Sequence, residues 1–152
     1  MEEDEFRSKY AELNRQRCVF EKAINARRCD CSMSRRFMLA GREGVGCDCA
    51  EDLCQCTHIL DTIRENARFA LQVTQVEGVL PHNKEIKVQV GGIQGLRDAA
   101  CEDHTGELRV SDIHSVIAQA MKKYATVDDF PYSEIVKSVT ACQGRRRTNH
   151  QR

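Results

Sequence analysis

The sequence predicts a mostly α-helical protein of four or five helices with a small β element near residues 72–90. Two observations predict the helices: apolar residues recur every three or four positions over most of the chain, and it contains only 2 prolines. A third predicts the β element, because Glu85–Val90 alternates charged or polar with apolar residues and ends in a Gly-Gly pair.

The first predicted element is an amphipathic helix from Glu2 to about Arg28. Its apolar stripe runs from Phe6 to Ile24, and neither Gly nor Pro interrupts it. The next stretch, Cys29–Cys49, has no such period, and three closely spaced glycines in it predict a turn-rich loop. A short helix over Ser34–Leu39 is expected within this stretch.

The strongest helical pattern extends from Ala50 to about Leu71, with Asp48 as the expected N-cap. Residues 71–76 are read as a partner strand or a helix tail. The glycine-rich stretch Gly91–Gly95 predicts a tight turn, since it lacks the Lys-Ser/Thr pair of a phosphate-binding loop. A short helix over Ile93–Cys101 follows.

Two further helices complete the predicted fold. The first begins after Ser111, as N-cap, and runs to Tyr124, with its apolar residues on one face. The second follows Asp128 or Asp129 as cap, has Pro131 in its first turn and ends near Ala141. The predicted organisation is a helical, cysteine-rich region over 1–71, a small α+β region over 72–144 packed on it, and a disordered basic tail over 145–152.

Charge and hydropathy exclude several classes of protein. Lys and Arg total 23, as do Asp and Glu, whereas a dedicated nucleic-acid-binding domain carries a broad basic surface. The three consecutive arginines of the tail, Arg145, Arg146 and Arg147, are too few to predict nucleic-acid binding. No apolar run is long enough to span a membrane, and the acidic start is unlike a secretory signal. We therefore expect a cytoplasmic protein.

A cytoplasmic location determines how the 9 cysteines are interpreted. In a reducing compartment a high cysteine density indicates metal binding or thiol chemistry more often than disulfides. Seven cysteines lie within residues 18–56, three times as Cys-x-Cys, and a histidine follows at 58. The remaining two, Cys101 and Cys142, are expected to be small buried hydrophobic residues.

The spacing favours a site with four ligands. In a helix, Cys54 and Cys56 would point about 200° apart, so each Cys-x-Cys pair is expected to supply one ligand and one bystander. The first-choice ligands are Cys18, Cys29, Cys47 and Cys54. The alternates are Cys31, Cys49, Cys56 and His58.

Two cofactors and one metal-free alternative fit these residues. An iron–sulfur cluster, [4Fe–4S] in type, is favoured because several arginines between residues 27 and 42 would offset the negative charge of a thiolate-ligated cluster. The protein would then transfer electrons or sense oxidants as an accessory to a protein partner. A structural Zn²⁺ site for protein–protein contact is the alternative. The cysteine spacing matches neither the standard zinc signature nor the standard ferredoxin signature. A thiol redox switch without metal is the third possibility. No catalytic set is predicted.

Overall fold

The computed structural model describes residues 1–72, 80–102 and 106–143 of the chain. They form a mostly helical protein with one small antiparallel β element, which confirms the predicted fold class. The elements in chain order are α1 (Glu3–Leu13), α2 (Glu21–Asn25), β1 (Ser34–Leu39), β2 (Arg42–Cys47), α3 (Ala50–Ala67), α4 (His82–Ile86), a π-helical turn (Lys87–Gly91), α5 (Gly92–Ala100), α6 (Ile113–Lys123), a short 3-10 helix (Val127–Asp129) and α7 (Tyr132–Ala141).

The predicted first helix is wrong in its extent, because the chain leaves the helix after Leu13 and re-enters one at Glu21. Between them, residues 16–18 pair with β2: the Cys18 N–H donates to the Val45 carbonyl at 3.0 Å, and the Cys47 N–H donates to the Gln16 carbonyl at 2.8 Å. No breaker residue marks this interruption in the sequence. Tertiary pairing outweighs helical periodicity here.

Among the described residues the β element lies at 34–47, and residues 80–90 contain no strand. Ser34–Leu39, predicted as a short helix, is β1, and it pairs with β2 from Ser34 opposite Cys47 to Leu39 opposite Arg42. The two-residue turn, Ala40-Gly41, has positive φ at both positions, 51° and 79°. Such a turn matches the twist of a hairpin and favours glycine.

The stretch predicted as a strand, Glu85–Val90, belongs to a helix. Helical dihedral angles continue from α4 through the π-helical turn into α5. Residues 88–96 are buried without a break, since α5 packs against both α6 and α7 and the turn packs against α3. A helix enclosed on all sides has no polar face, so its sequence does not show the period of an amphipathic helix.

The predicted turn at Gly91–Gly95 is also wrong. A Cβ at Gly91 would lie 2.7 Å from Val139 Cα, and one at Gly95 would lie 2.9 Å from Ile135 Cα. These glycines therefore allow the π-helical turn and α5 to approach the backbone of α7 closely. The predicted helix over Ile93–Cys101 is confirmed as α5.

The other helices were predicted, but α3 ends at Ala67 and not near Leu71, and the caps differ. Cys49, not Asp48, caps α3 by accepting the Asp52 N–H on its sulfur at 3.5 Å, and Asp112, not Ser111, caps α6. Pro131, not an aspartate, precedes α7. The predicted partner strand over 71–76 falls mostly outside the described residues, as does the tail after 143. The described residues thus contain six helices when α4, the π-helical turn and α5 are counted as one continuous helix, against the four or five expected.

One hydrophobic core runs through both predicted regions. It joins residues of α2 and α3 to residues of α5, α6 and α7, and both Cys101 and Cys142 are buried in it. Among the described residues, no helix is long and apolar enough to cross a membrane.

Candidate metal-cluster site

Four cysteines line one cavity of about 260 Å³ between the hairpin, α3 and α6: Cys18, Cys31, Cys47 and Cys56. They come from four separate pieces of chain, which are the pairing segment 16–18, the turn before β1, the last residue of β2 and the second turn of α3. The rest of the wall is mostly apolar. It includes Phe20, Met33, Leu53, Ile113, Ile117 and Met121.

The backbone pairing of residues 16–18 with β2 places two of these thiols. Arg17 lies opposite Gly46 in an antiparallel bridge, so Cys18 and Cys47 flank the bridge diagonally and project to the same face. Diagonal neighbours of this kind have Cα atoms about 7–8 Å apart. A disulfide between them would require the backbone to move, because Cα atoms more than about 7 Å apart cannot be bridged.

The α3 helix decides between Cys54 and Cys56. Cys56 belongs to the apolar stripe of α3 and faces the cavity, whereas Cys54 is exposed to solvent. His58 lies one turn beyond Cys54, and its Nε2 is 3.5 Å from a carboxylate oxygen of Asp128. The structure thus separates the first-choice ligand Cys54 and the alternate His58 from the cavity.

Two other predicted ligands lie elsewhere. Cys29 is fully buried in the core, in a bridge with Val110. Cys49 serves as the N-cap of α3. Of the predicted candidates, the cavity therefore brings together Cys18 and Cys47 from the first choice with Cys31 and Cys56 from the alternates.

The thiols of the cavity are close enough to influence one another's ionisation. Burial raises the pKa of Cys18 to about 12, and the neighbouring Cys31 and Cys47 add to the rise. Burial likewise raises the pKa of Cys56 to about 12, with Cys18, Cys31 and Cys47 contributing. Without a bound metal, Cys18 and Cys56 are therefore neutral thiols, since their thiolates would lie in an apolar wall close to other sulfurs.

Backbone N–H groups lie near two of the sulfurs. Burial raises the pKa of Cys31, and the nearby backbone N–H groups of Met33 and His114 partly oppose the rise. The Phe20 N–H acts in the same way on Cys18. His114 lies in the first turn of α6, so the N-terminal end of that helix faces Cys31.

Sequence reasoning missed the contribution of α6. His114 is 83 positions from Cys31, and nothing in the linear sequence signals that they meet. The imidazole Nδ1 lies 3.2 Å from a carboxylate oxygen of Asp52, which also lines the cavity. This pair closes one side of the site between α3 and α6.

The arginines expected to surround the site lie elsewhere. Four of them pair with carboxylates at the surface: Arg27 with Glu43, Arg35 with Asp48, Arg36 with Asp30 and Arg42 with Glu3. Arg28 contacts the C-terminal end of α7 through the sulfur of Cys142 at 3.4 Å. Among the described residues that line the cavity, there is none of these five arginines.

The thiols surround a volume and do not meet at a point. Within residues 1–72, 80–102 and 106–143, no three His, Cys, Asp or Glu side chains converge closely enough to hold a single metal ion. A tetrahedral zinc site has Zn–S bonds of about 2.3 Å, which puts its sulfurs about 3.8 Å apart. Zn²⁺ would therefore require the four thiols to move inward.

Comparisons of this chain with models of protein families, with curated proteins and with solved structures find no match. The cavity and its thiols are therefore the features from which a function can be inferred.

Proposed function

We propose that the protein binds a [4Fe–4S] cluster in this cavity through Cys18, Cys31, Cys47 and Cys56, and that it acts as a redox protein accessory to a protein partner. One observation carries the proposal: four cysteines from four separate segments line the same cavity. This set keeps the expected pattern of one ligand and one bystander in each Cys-x-Cys pair.

The shape of the site suits a cluster better than a single ion. In a cubane each iron binds a different thiolate, so the four thiolates stand around a volume. The cavity of about 260 Å³ supplies such a volume. Backbone N–H groups near the sulfurs of Cys18 and Cys31 act to lower the pKa of these thiols, and donors of this kind stabilise thiolate ligands and tune a cluster's potential.

The ionisation of the thiols makes cluster binding depend on pH. Burial and mutual repulsion keep Cys18 and Cys56 protonated in the metal-free protein. Cysteine must be deprotonated to ligate a metal, so cluster binding would release protons and would have to offset the cost of ionising these thiols. Free thiols in this arrangement fit a reducing, cytoplasmic compartment, where disulfides are rare.

The alternatives have weaker support. A structural Zn²⁺ site needs thiols closer together than a cavity of this volume places them. A thiol switch between Cys18 and Cys47 is disfavoured by their diagonal backbone separation. Metal analysis of the purified protein distinguishes the zinc site and the thiol switch from the cluster.

The test is purification of the full chain without oxygen, followed by a visible absorption spectrum and analysis of iron, sulfide and zinc. We expect a broad band near 400 nm with about four irons and four sulfides per chain. A colourless protein with about one zinc per chain would replace the proposal with a structural zinc module. Colourless protein with neither metal, after reconstitution with iron and sulfide, would leave a thiol switch.

The ligands are tested by single Cys→Ser variants. Cys18→Ser, Cys31→Ser, Cys47→Ser and Cys56→Ser should each lower bound iron and change the spectrum. Cys54→Ser is the matched control, because it removes an exposed thiol two positions from a proposed ligand, and it should keep the full iron content. Equal iron loss in Cys54→Ser and Cys56→Ser would contradict the assignment.

A further inference from the structure

The wall of the cavity carries almost no compensating positive charge. Apart from the thiols, only Asp52 and His114 among its described lining residues can ionise, and they face each other at 3.2 Å. The nearby arginines are bound to surface carboxylates, as with Arg35 and Asp48 at 3.0 Å. A cluster in this cavity would therefore lie in apolar surroundings, with no positively charged side chain to offset its negative charge.

This charge balance affects how easily the cluster is oxidised. A [4Fe–4S]²⁺ core with four thiolates has a net charge of −2, and loss of one electron lowers it to −1. Apolar surroundings without a counter-charge disfavour the more highly charged state. The site thus favours removal of an electron from the resting cluster.

The apolar wall also reaches the protein surface. Leu53 and Met121 line the cavity and are partly exposed, and Ala118, which also lines it, is exposed. Apolar cavities in proteins admit small apolar species such as xenon. Dioxygen, also small and apolar, can enter between α3 and α6 by the same physical preference.

We propose that the cluster is a dioxygen sensor, which rests on the proposed function above. Dioxygen takes one electron from the [4Fe–4S]²⁺ core and becomes superoxide, leaving a [4Fe–4S]³⁺ core. That core releases one Fe²⁺ and becomes [3Fe–4S]⁺, so charge and iron balance. The protein reports oxidant by losing a corner iron and freeing one of its four cysteine ligands.

The test uses the cluster-loaded full chain in air-saturated buffer, with an anaerobic sample alongside. Visible absorption follows cluster loss, and electron paramagnetic resonance detects [3Fe–4S]⁺. We expect decay in air, with this signal appearing as iron is released. A cluster that decays no faster in air than without oxygen would overturn the sensor and leave the proposed function intact. Protein that never binds a cluster would overturn both.

Variants that add a positive charge test whether charge sets the rate of cluster loss. Gln55 lines the cavity, so Gln55→Lys places a cation beside the cluster and should slow decay in air about three- to tenfold. Ala118→Lys adds a cation from α6 and should act in the same direction. Gln119→Lys adds the same charge on α6 at a residue outside the cavity lining, and it should decay like the wild type. Equal decay in all four proteins would overturn the proposed cause.

Discussion

Cys18 and Cys47 lie on the same face of a short antiparallel pairing, diagonally across the bridge between Arg17 and Gly46. Their positions depend on two backbone hydrogen bonds, from Cys18 to Val45 and from Cys47 to Gln16. A substitution that weakens this pairing should therefore also displace the two thiols.

Gly46→Ala should damage the site. An added Cβ would lie 2.7 Å from Asn14 Oδ1 and 3.2 Å from Arg35 Nη2, and the Asn14 side chain is itself bonded to the Val45 carbonyl. We expect about 1–3 kcal/mol of lost stability by urea denaturation, together with reduced iron content. Gly41→Ala is the control: its Cβ meets nothing, but φ is +79°, so it should cost about 1–2 kcal/mol and leave iron content unchanged.

Glu21→Gln should release the segment that carries Cys18. The buried carboxylate accepts the Val45 N–H at 2.7 Å, the Arg17 Nε–H at 2.8 Å and the Tyr10 hydroxyl. The glutamine amide is neutral and has only one oxygen, so it cannot accept all three hydrogen bonds. We therefore expect the free energy of unfolding to fall by about 2 kcal/mol. Glu12→Gln, at an exposed position of α1, should be neutral. Equal losses of stability in Glu21→Gln and Glu12→Gln would argue that the Glu21 carboxylate does not hold this segment in place.

The metal-free, reduced protein should lose stability at alkaline pH. The pKa values of Cys18 and Cys56 lie near 12 in the folded chain because of burial, against an ordinary 9.0. Between these values the unfolded chain releases protons that the folded chain retains, so the free energy of unfolding falls as pH rises. Each thiol contributes about 1.4 kcal/mol per pH unit in that window.

Urea denaturation between about pH 8 and 11 measures this slope across the window set by the two pKa values. The double variant Cys18→Ala/Cys56→Ala should show a shallower fall than the wild type. Cys54→Ala, which removes an exposed thiol, should keep the wild-type slope. An unchanged slope in the double variant would refute the linkage to these two residues.

Gly91→Ala should destabilise the fold more than Gly92→Ala. At Gly91 the added Cβ would lie 2.7 Å from the backbone of Val139 in α7, whereas at Gly92 it would meet side-chain atoms of Ile63 at 3.1 Å or more. Helix backbone cannot yield as a side chain can, so we expect about 2 kcal/mol of loss at Gly91. At Gly92, the higher helix propensity of alanine should offset up to about 1 kcal/mol of the cost of the contact with Ile63. Thermal denaturation of both variants compares them directly.

Local pattern was sufficient for several elements. The helices α3 and α6 have apolar stripes on one face and polar residues on the other, so their periodicity predicted both helices, with the end of α3 placed about four residues too late. The same stripe includes Cys56, yet the sequence prediction chose Cys54 as ligand, and the structure has Cys56 at the cavity. The density of cysteines in residues 18–56 was enough to indicate where a metal site should be sought.

Local pattern failed where burial or long-range pairing changed the environment. Glu85 and Gln89 looked like the solvent-facing residues of a strand, yet both are buried. Glu85 binds Arg64 in a two-point ion pair, and Gln89 accepts the Ala23 N–H at 3.0 Å. A polar residue satisfied inside the core is indistinguishable in sequence from one facing water.

The sequence alone determined that this protein is mostly helical and that its cysteines concentrate in one segment, because periodicity and composition are local properties. Only the tertiary structure decided that Cys31 and Cys47, and not Cys29 and Cys49, face the cavity together with Cys18. That choice depends on the register of residues 16–18 against β2 and on the packing of α6 over Cys31. Both are contacts between residues distant in the chain, and no local pattern encodes them.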